Sequence, residues 1–194
     1  MRAKDLLTEA NRNKVLLIDF QPAYANYYSG SELRAACAYI NSKPNVEVLA
    51  FYNGADVGIE DTEGEVMWHY VEDGGLDEDA NISFREKGYA FLRSWMDQGV
   101  DTSVIIKVLR EMIRRGFNDS REFEEELEQI VGEGSWEDWM EGDNIYIPDI
   151  AINELKSFTG CLMGGGGRDE CFKEIQILMS VFNIKHKEVQ DWIY

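Results

Sequence analysis

Three side chains in this 194-residue chain are of types that do covalent and proton-transfer chemistry, and each stands where a parallel α/β sheet opens. Asp19 ends the apolar run "KVLLID", where a carboxylate is costly to desolvate; Lys87 follows the alternating stretch "NISFRE"; Cys171 follows "GGGGRDE" at the head of an apolar helix pattern. In open α/β sheets ligands bind at the carboxyl ends of the strands, so an acid, an amine and a thiol at three such ends are candidate chemistry. A thiol in the first turn of a helix is favoured as thiolate by the helix dipole, and a nearby ammonium strengthens the effect. On this reading Cys171 is a candidate nucleophile and Asp19 a candidate catalytic acid. The turn residues Gly166, Gly167 and Glu170 would supply amides to a developing oxyanion. Gln21, Tyr24 and Tyr27, just after Asp19, are candidate substrate contacts, with Tyr28 and Trp95 adding aromatic surface for a flat small molecule. Asp19 capping its own loop and Cys171 packing as core are the structural alternatives.

The elements that position these residues follow from the hydrophobic pattern. Short apolar runs at 15–18 and 46–52 read as buried parallel strands, "NISFREK" (81–87) as an alternating strand, and 159–167 and the last ten residues as two more. Between them, "SELRAACAYINS" (31–42) has helical spacing with Ser31 as the cap candidate and Cys37 in the core; residues 65–73 are compatible with helix or strand. The stretch "YAFLRSWMDQG" reads as helical, and residues 101–116 as an amphipathic helix closed by Gly116. The stretch "NIYIP" (144–148) reads as a strand, followed by helices over "DIAINELKSF" and 168–183. Strands alternating with helices predict a mostly parallel sheet with helices on both faces, a Rossmann-like three-layer arrangement in one domain. Residues 101–142 are expected as a helical insertion or lid, because about 40 residues rarely hold a core alone.

Composition narrows the partners. The net charge of −18 repels duplex nucleic acid and anionic membranes, and no segment has the length and apolarity of a signal peptide or a membrane helix, so a cytoplasmic location is expected. Three cysteines without C-x-x-C spacing indicate free thiols, and the isolated His69 and His186 give no zinc site. The four glycines 164–167 allow a ligand to approach bare backbone, but "GGGGRDEC" matches neither the dinucleotide fingerprint nor the Walker pattern, so no cofactor is expected.

Taken together, "VLLIDFQPAY", "SFREKGYAFLRS" and "GGGGRDEC" resemble the isochorismatase-like cysteine hydrolases. In that family the Asp lies in a D-x-Q-x-x-F/Y motif, matched by Asp19 to Tyr24. The Lys precedes an aromatic and a helix, as Lys87 precedes Tyr89 and Phe91, and the Cys follows a glycine and an Asp, as Cys171 follows Gly167 and Asp169. The resemblance covers residues 14–95 and 158–194. It implies that Cys171 is the nucleophile, that Lys87 favours its thiolate and that Asp19 is the general base, in hydrolysis of a small amide, ureide or related C–N or C–O bond, and it implies oligomerisation with a second copy. The longer, more acidic turn before Cys171 and the segment 101–142 depart from the family's pattern.

Two other readings stand beside it. A Mg²⁺-dependent nuclease like the PIN domains would gather Asp19, Asp97, Asp119 and Asp169 or Glu170 around the metal. A non-enzymatic binding or inhibitory protein, as mobile elements carry, would dock "REFEEELEQ" and "EDWMEGD" on a basic protein, with Trp136, Trp139 and Met140 as the anchor.

Overall fold

The computed structural model describes residues 13–54, 59–87, 93–117, 129–130 and 149–194. Their contacts divide the chain into two compact units, the first formed by residues 1–89, 157–172 and 185–194, the second by 90–156 and 173–184.

The first unit carries a five-stranded sheet in which every neighbouring pair is parallel. Its strands are β1 (Lys14–Ile18), β2 (Glu47–Tyr52), β3 (Ile82–Glu86), β4 (Cys161–Gly165) and β5 (His186–Ile193), in the order β3-β2-β1-β4-β5. The expected α/β class is therefore what the chain adopts. The central strand shows why: Val15 to Ile18 are all 0 % exposed, as a strand buried on both faces requires. Val15 and Leu17 join a core with β2 and the helices α1 (Ser31–Asn41) and α2 (Glu63–Glu72), while Leu16 and Ile18 point to the other, equally buried face.

Local signals explain both helices. In α1 the apolar positions Leu33, Ala36, Cys37 and Ile40 are the buried ones, but the cap is Gly30, at φ 77°, and not Ser31, which is the first helical residue. Ser31 instead shares Glu32 with Ser29. The undecided stretch 65–73 belongs to helix α2, and a capping box decides it: Thr62 accepts from the Glu65 amide, and Glu65 Oε2 accepts from the Thr62 amide at 2.8 Å.

The second unit contains α3 (Arg93–Asp97), α4 (Thr102–Arg115), α5 (Asp149–Ser157) and most of α6 (Cys171–Val181), whose first two residues belong to the sheet unit. Asp101 caps α4 and Gly116 ends it in the left-handed region; Ile105, Val108, Leu109 and Met112 form its buried stripe. Arg110 on α4 donates to the carbonyls of Ser180 and Val181, satisfying groups that the end of α6 leaves open. The stretches "REFEEELEQ" and "EDWMEGD", the expected strand 144–148 and the aromatic anchor lie outside the described residues, apart from Gln129.

Gly164, Gly165 and Gly166 are taken up by the protein's own packing. A Cβ on Gly164 would lie 2.5 Å from the Trp192 side chain, and one on Gly166 would lie 1.7 Å from the Tyr194 ring. Gly165, at φ 118°, lies so close to β1 that a Cβ would come within 2.0 Å of the Ile18 carbonyl oxygen. The expectation that these glycines bare backbone for a ligand gives way to a tighter constraint: they let β1, β4 and β5 meet. Gly165→Ala should therefore cost about 3 kcal/mol or more of unfolding free energy in a urea titration, through overpacking and a disfavoured φ together. A loss under about 0.5 kcal/mol would show that the strands do not approach as described.

Candidate functional site

The site begins where β1 stops. Asp19 leaves the strand at φ 55°, an uncommon conformation for a residue with a side chain. Its amide still donates to the Phe51 carbonyl at 2.9 Å, extending the β1–β2 ladder by one step, and its carbonyl accepts the Tyr194 hydroxyl at 2.7 Å. Backbone is thus held on both sides while the carboxylate, 0 % exposed, is turned to the rim.

Lys87 occupies the equivalent place one step past β3. Its amide donates to the Tyr52 carbonyl at 2.9 Å, and its Nζ lies 3.1 Å from Asp19 Oδ2, with the lysine residue only 6 % exposed. Strands β1 and β3 are not neighbours; β2 separates them, so their backbones stand roughly 10 Å apart. Only a long side chain bridges that gap, which is a physical reason for lysine at this position.

Cys171 is the first residue of α6, half-buried, and its side chain is near enough to the Asp19 carboxylate to influence its ionisation. The structure thus brings Asp19, Lys87 and Cys171 to one place. Burial raises the Asp19 pKa above the ordinary carboxylate value, against the opposing pull of the Lys87 charge and of the neighbouring Cys171 side chain. Because the folded-state value exceeds the unfolded one, the stability that Asp19 contributes is complete below the ordinary carboxylate pKa. It declines as pH rises through the raised value.

The other expected site residues are placed as follows. The Gly166 amide donates to the Ile18 carbonyl at 2.9 Å and the Glu170 amide to the Gly167 carbonyl at 2.9 Å, so both are engaged in backbone bonds; the Glu170 residue itself is exposed. Gln21 is fully buried and pairs reciprocally with the backbone of Asn53, donating to its carbonyl at 3.0 Å and accepting its amide at 2.8 Å, while donating also to Asp61 at 2.8 Å. It locks the loop after β1 onto the loop after β2. Tyr24 is half-buried and its hydroxyl accepts from Asn53 Nδ2 at 2.8 Å; the charges of Asp19, Cys171 and Lys87 are all felt at its phenol, whose pKa burial raises. Tyr27 is 74 % exposed. Trp95 is fully buried in the second unit. Sequence reasoning missed Asn53, Asp61 and Tyr194. The acidic loop containing Asp61 was visible as composition, but nothing in its pattern marked Asp61 as the partner of Gln21.

Among the described residues no group of three or more His, Cys, Asp or Glu side chains could hold a metal ion. Asp97 and Asp169 are exposed, and Asp119 lies outside the described residues. The same residues contain no helix long and apolar enough to cross a membrane.

Comparison with known proteins points away from the cysteine hydrolases. The chain is similar to the ribosomal protein L11 methyltransferase of Dictyoglomus thermophilum, 26 % identical over 114 residues, which is 57 % of this chain and 35 % of that protein. The chain thus spans about a third of the length of this curated relative. No protein family and no solved structure matches the chain. The likeness to a methyltransferase overturns the isochorismatase-like resemblance and the hydrolase activity it implied, and it favours neither the nuclease nor the binding-protein reading. The reason lies in the residues themselves: an acid after the first strand of a parallel sheet is a position that many α/β enzymes use, and fold does not fix chemistry.

The electrostatics of the cluster can be checked directly. In a ¹³C carboxyl titration Asp19 should titrate above Asp101, whose carboxyl is lowered by hydrogen bonds from Ser103, and Lys87→Met should move the Asp19 midpoint further up. An Asp19 midpoint at or below that of Asp101 would contradict its burial.

Proposed function

We propose that this protein is an enzyme of the methyltransferase-like Rossmann class, which moves a methyl group from S-adenosylmethionine to an N–H or O–H acceptor. The single observation that carries this reading is the 114-residue likeness to the L11 methyltransferase. The strand order β3-β2-β1-β4-β5 supports it, being that of nucleotide-binding α/β sheets, which bind where the order reverses.

The residues at the rim fit a nucleoside-bearing donor. Asn53 stands one step past β2 and is 4 % exposed, and its Oδ1 is a buried acceptor with no hydrogen-bond partner. A buried acceptor left open carries a cost that a ribose hydroxyl would remove, and the end of the second strand is where such folds hold the ribose. Asn53 would hold the ribose there. The turn from Asp19 to Tyr24 contains no glycine, so a donor at this rim would rest on side chains and not on bare backbone.

When bound, the donor supplies an electrophilic methyl group. Asp19 takes the proton that the acceptor releases as its new bond to carbon forms, a role that suits a carboxylate made more basic by burial. Lys87 favours the ionised carboxylate between turnovers, and the neighbouring Cys171 side chain acts on its ionisation in the same direction. The full side-chain pairing of Gln21 keeps the loops after β1 and β2 together, so that acceptor base and ribose site stay in register.

Calorimetric titration with S-adenosylmethionine should show saturable binding, and Asn53→Leu should weaken it about tenfold, the loss of one hydrogen bond to a neutral acceptor. Absence of saturable binding to the wild-type chain would overturn the proposal.

A further inference from the structure

Away from the Asp19 cluster, the sheet unit carries a second run of chemistry-bearing side chains. Tyr28 Oη is hydrogen-bonded to His69 Nε2, and His69 Nδ1 is bonded to Asp73 Oδ2 at 2.7 Å. A carboxylate only accepts, so the ring carries its proton on Nδ1. In the neutral ring Nε2 is then the acceptor for the Tyr28 hydroxyl. This is the order of hydroxyl, base and orienting acid that activates nucleophiles.

Three observations distinguish it from a chance surface contact. The His69 residue is 6 % exposed although its partner Asp73 is largely exposed, so the ring is fixed while its environment stays open. Tyr28 is held edge-on by Phe20, with centroids 5.3 Å apart, and tilted against Tyr194 at 4.6 Å. Asp73 is the C-terminal cap of α2, where the helix dipole disfavours an acid, whereas Glu63 and Glu65 of the first turn are placed with it. A carboxylate at that end gains from a partner, and His69 supplies one.

His69 and Asp73 line an open, shallow groove of about 670 Å³ with Pro22, Thr62, Glu65 and Trp68, on which the ring that holds the Tyr28 hydroxyl borders. Trp68 is 64 % exposed and offers the groove an aromatic wall.

We propose that Tyr28, His69 and Asp73 form a second reactive centre, in which the Tyr28 hydroxyl is the nucleophile toward small activated acyl compounds. The bond from Tyr28 Oη to the acyl carbon forms as the bond from that carbon to its leaving group breaks. The phenolic proton passes to His69 Nε2 and from there to the departing group, leaving an acyl-tyrosine. Burial raises the Tyr28 pKa, so the phenol reacts through its base and not as free phenolate. Nothing in this step draws on Asp19, Lys87 or a methyl donor.

The probe is N-acetylimidazole, applied to the intact chain at neutral pH, with acetylation located by tandem mass spectrometry. Tyr27, one residue away and 74 % exposed, is an internal reference for ordinary reactivity. Tyr28 should acetylate ahead of Tyr27 despite its lower exposure. His69→Ala and Asp73→Asn should each slow Tyr28 tenfold or more while leaving Tyr27 unchanged, within the range of general-base effects. Should His69→Ala lose its circular dichroism signal, Asp73→Asn, a substitution at an exposed carboxylate, decides alone. Acetylation of Tyr27 before Tyr28, or a Tyr28 rate within threefold of wild type in Asp73→Asn, overturns the proposal.

Discussion

The rim of this protein is organised by one electrostatic constraint: a carboxylate with no solvent exposure must be balanced, and the balancing charge arrives from two strands away. Removing a carboxylate and an ammonium from water costs several kcal/mol each, and their attraction offsets this only where the geometry is good. Lys87 Nζ stands 3.1 Å from Asp19 Oδ2, close enough for that attraction to act. It also explains why both residues fall one step beyond their strands. There the ladder still holds their amides, through Phe51 and Tyr52, while the side chains are free of the pleat.

Much of the surrounding packing keeps that geometry in place. Tyr194 braces the Asp19 carbonyl, and its ring lies where only a glycine at position 166 leaves room. Gln21 ties the two loops that flank the carboxylate, using hydrogen bonds that would otherwise go to water. The rings of Phe20, Tyr28 and Tyr194 meet edge-on or tilted, and this cluster anchors Tyr194, whose hydroxyl holds the Asp19 carbonyl.

The parallel sheet was legible in the sequence because strands buried on both faces read as continuous apolar runs, and "VLLI" and "VLAFY" are such runs. Asp19, Lys87 and Cys171 were grouped by the resemblance and not by their spacing, yet the sheet gives a reason for residues to gather at that rim: parallel strands send all their carboxyl ends to one side. The purpose of the glycines was not legible, since a run of glycine signals close approach without saying what approaches. Neither was the role of Gln21, whose partners are a backbone 32 residues away and a carboxylate 40 residues away. The activity was misread because the acid, amine and thiol fit a familiar order, while the detectable relative is a methyltransferase. Position in a sheet constrains where chemistry occurs far more than which chemistry it is.

Asp19 and Lys87 form a directly coupled, buried pair. A double-mutant cycle of Asp19→Asn and Lys87→Met, followed by urea denaturation at pH 7, measures that coupling most directly. The double variant should be more stable than the sum of the single losses allows, by about 1–3 kcal/mol. Additive losses, within about 0.5 kcal/mol, would contradict it.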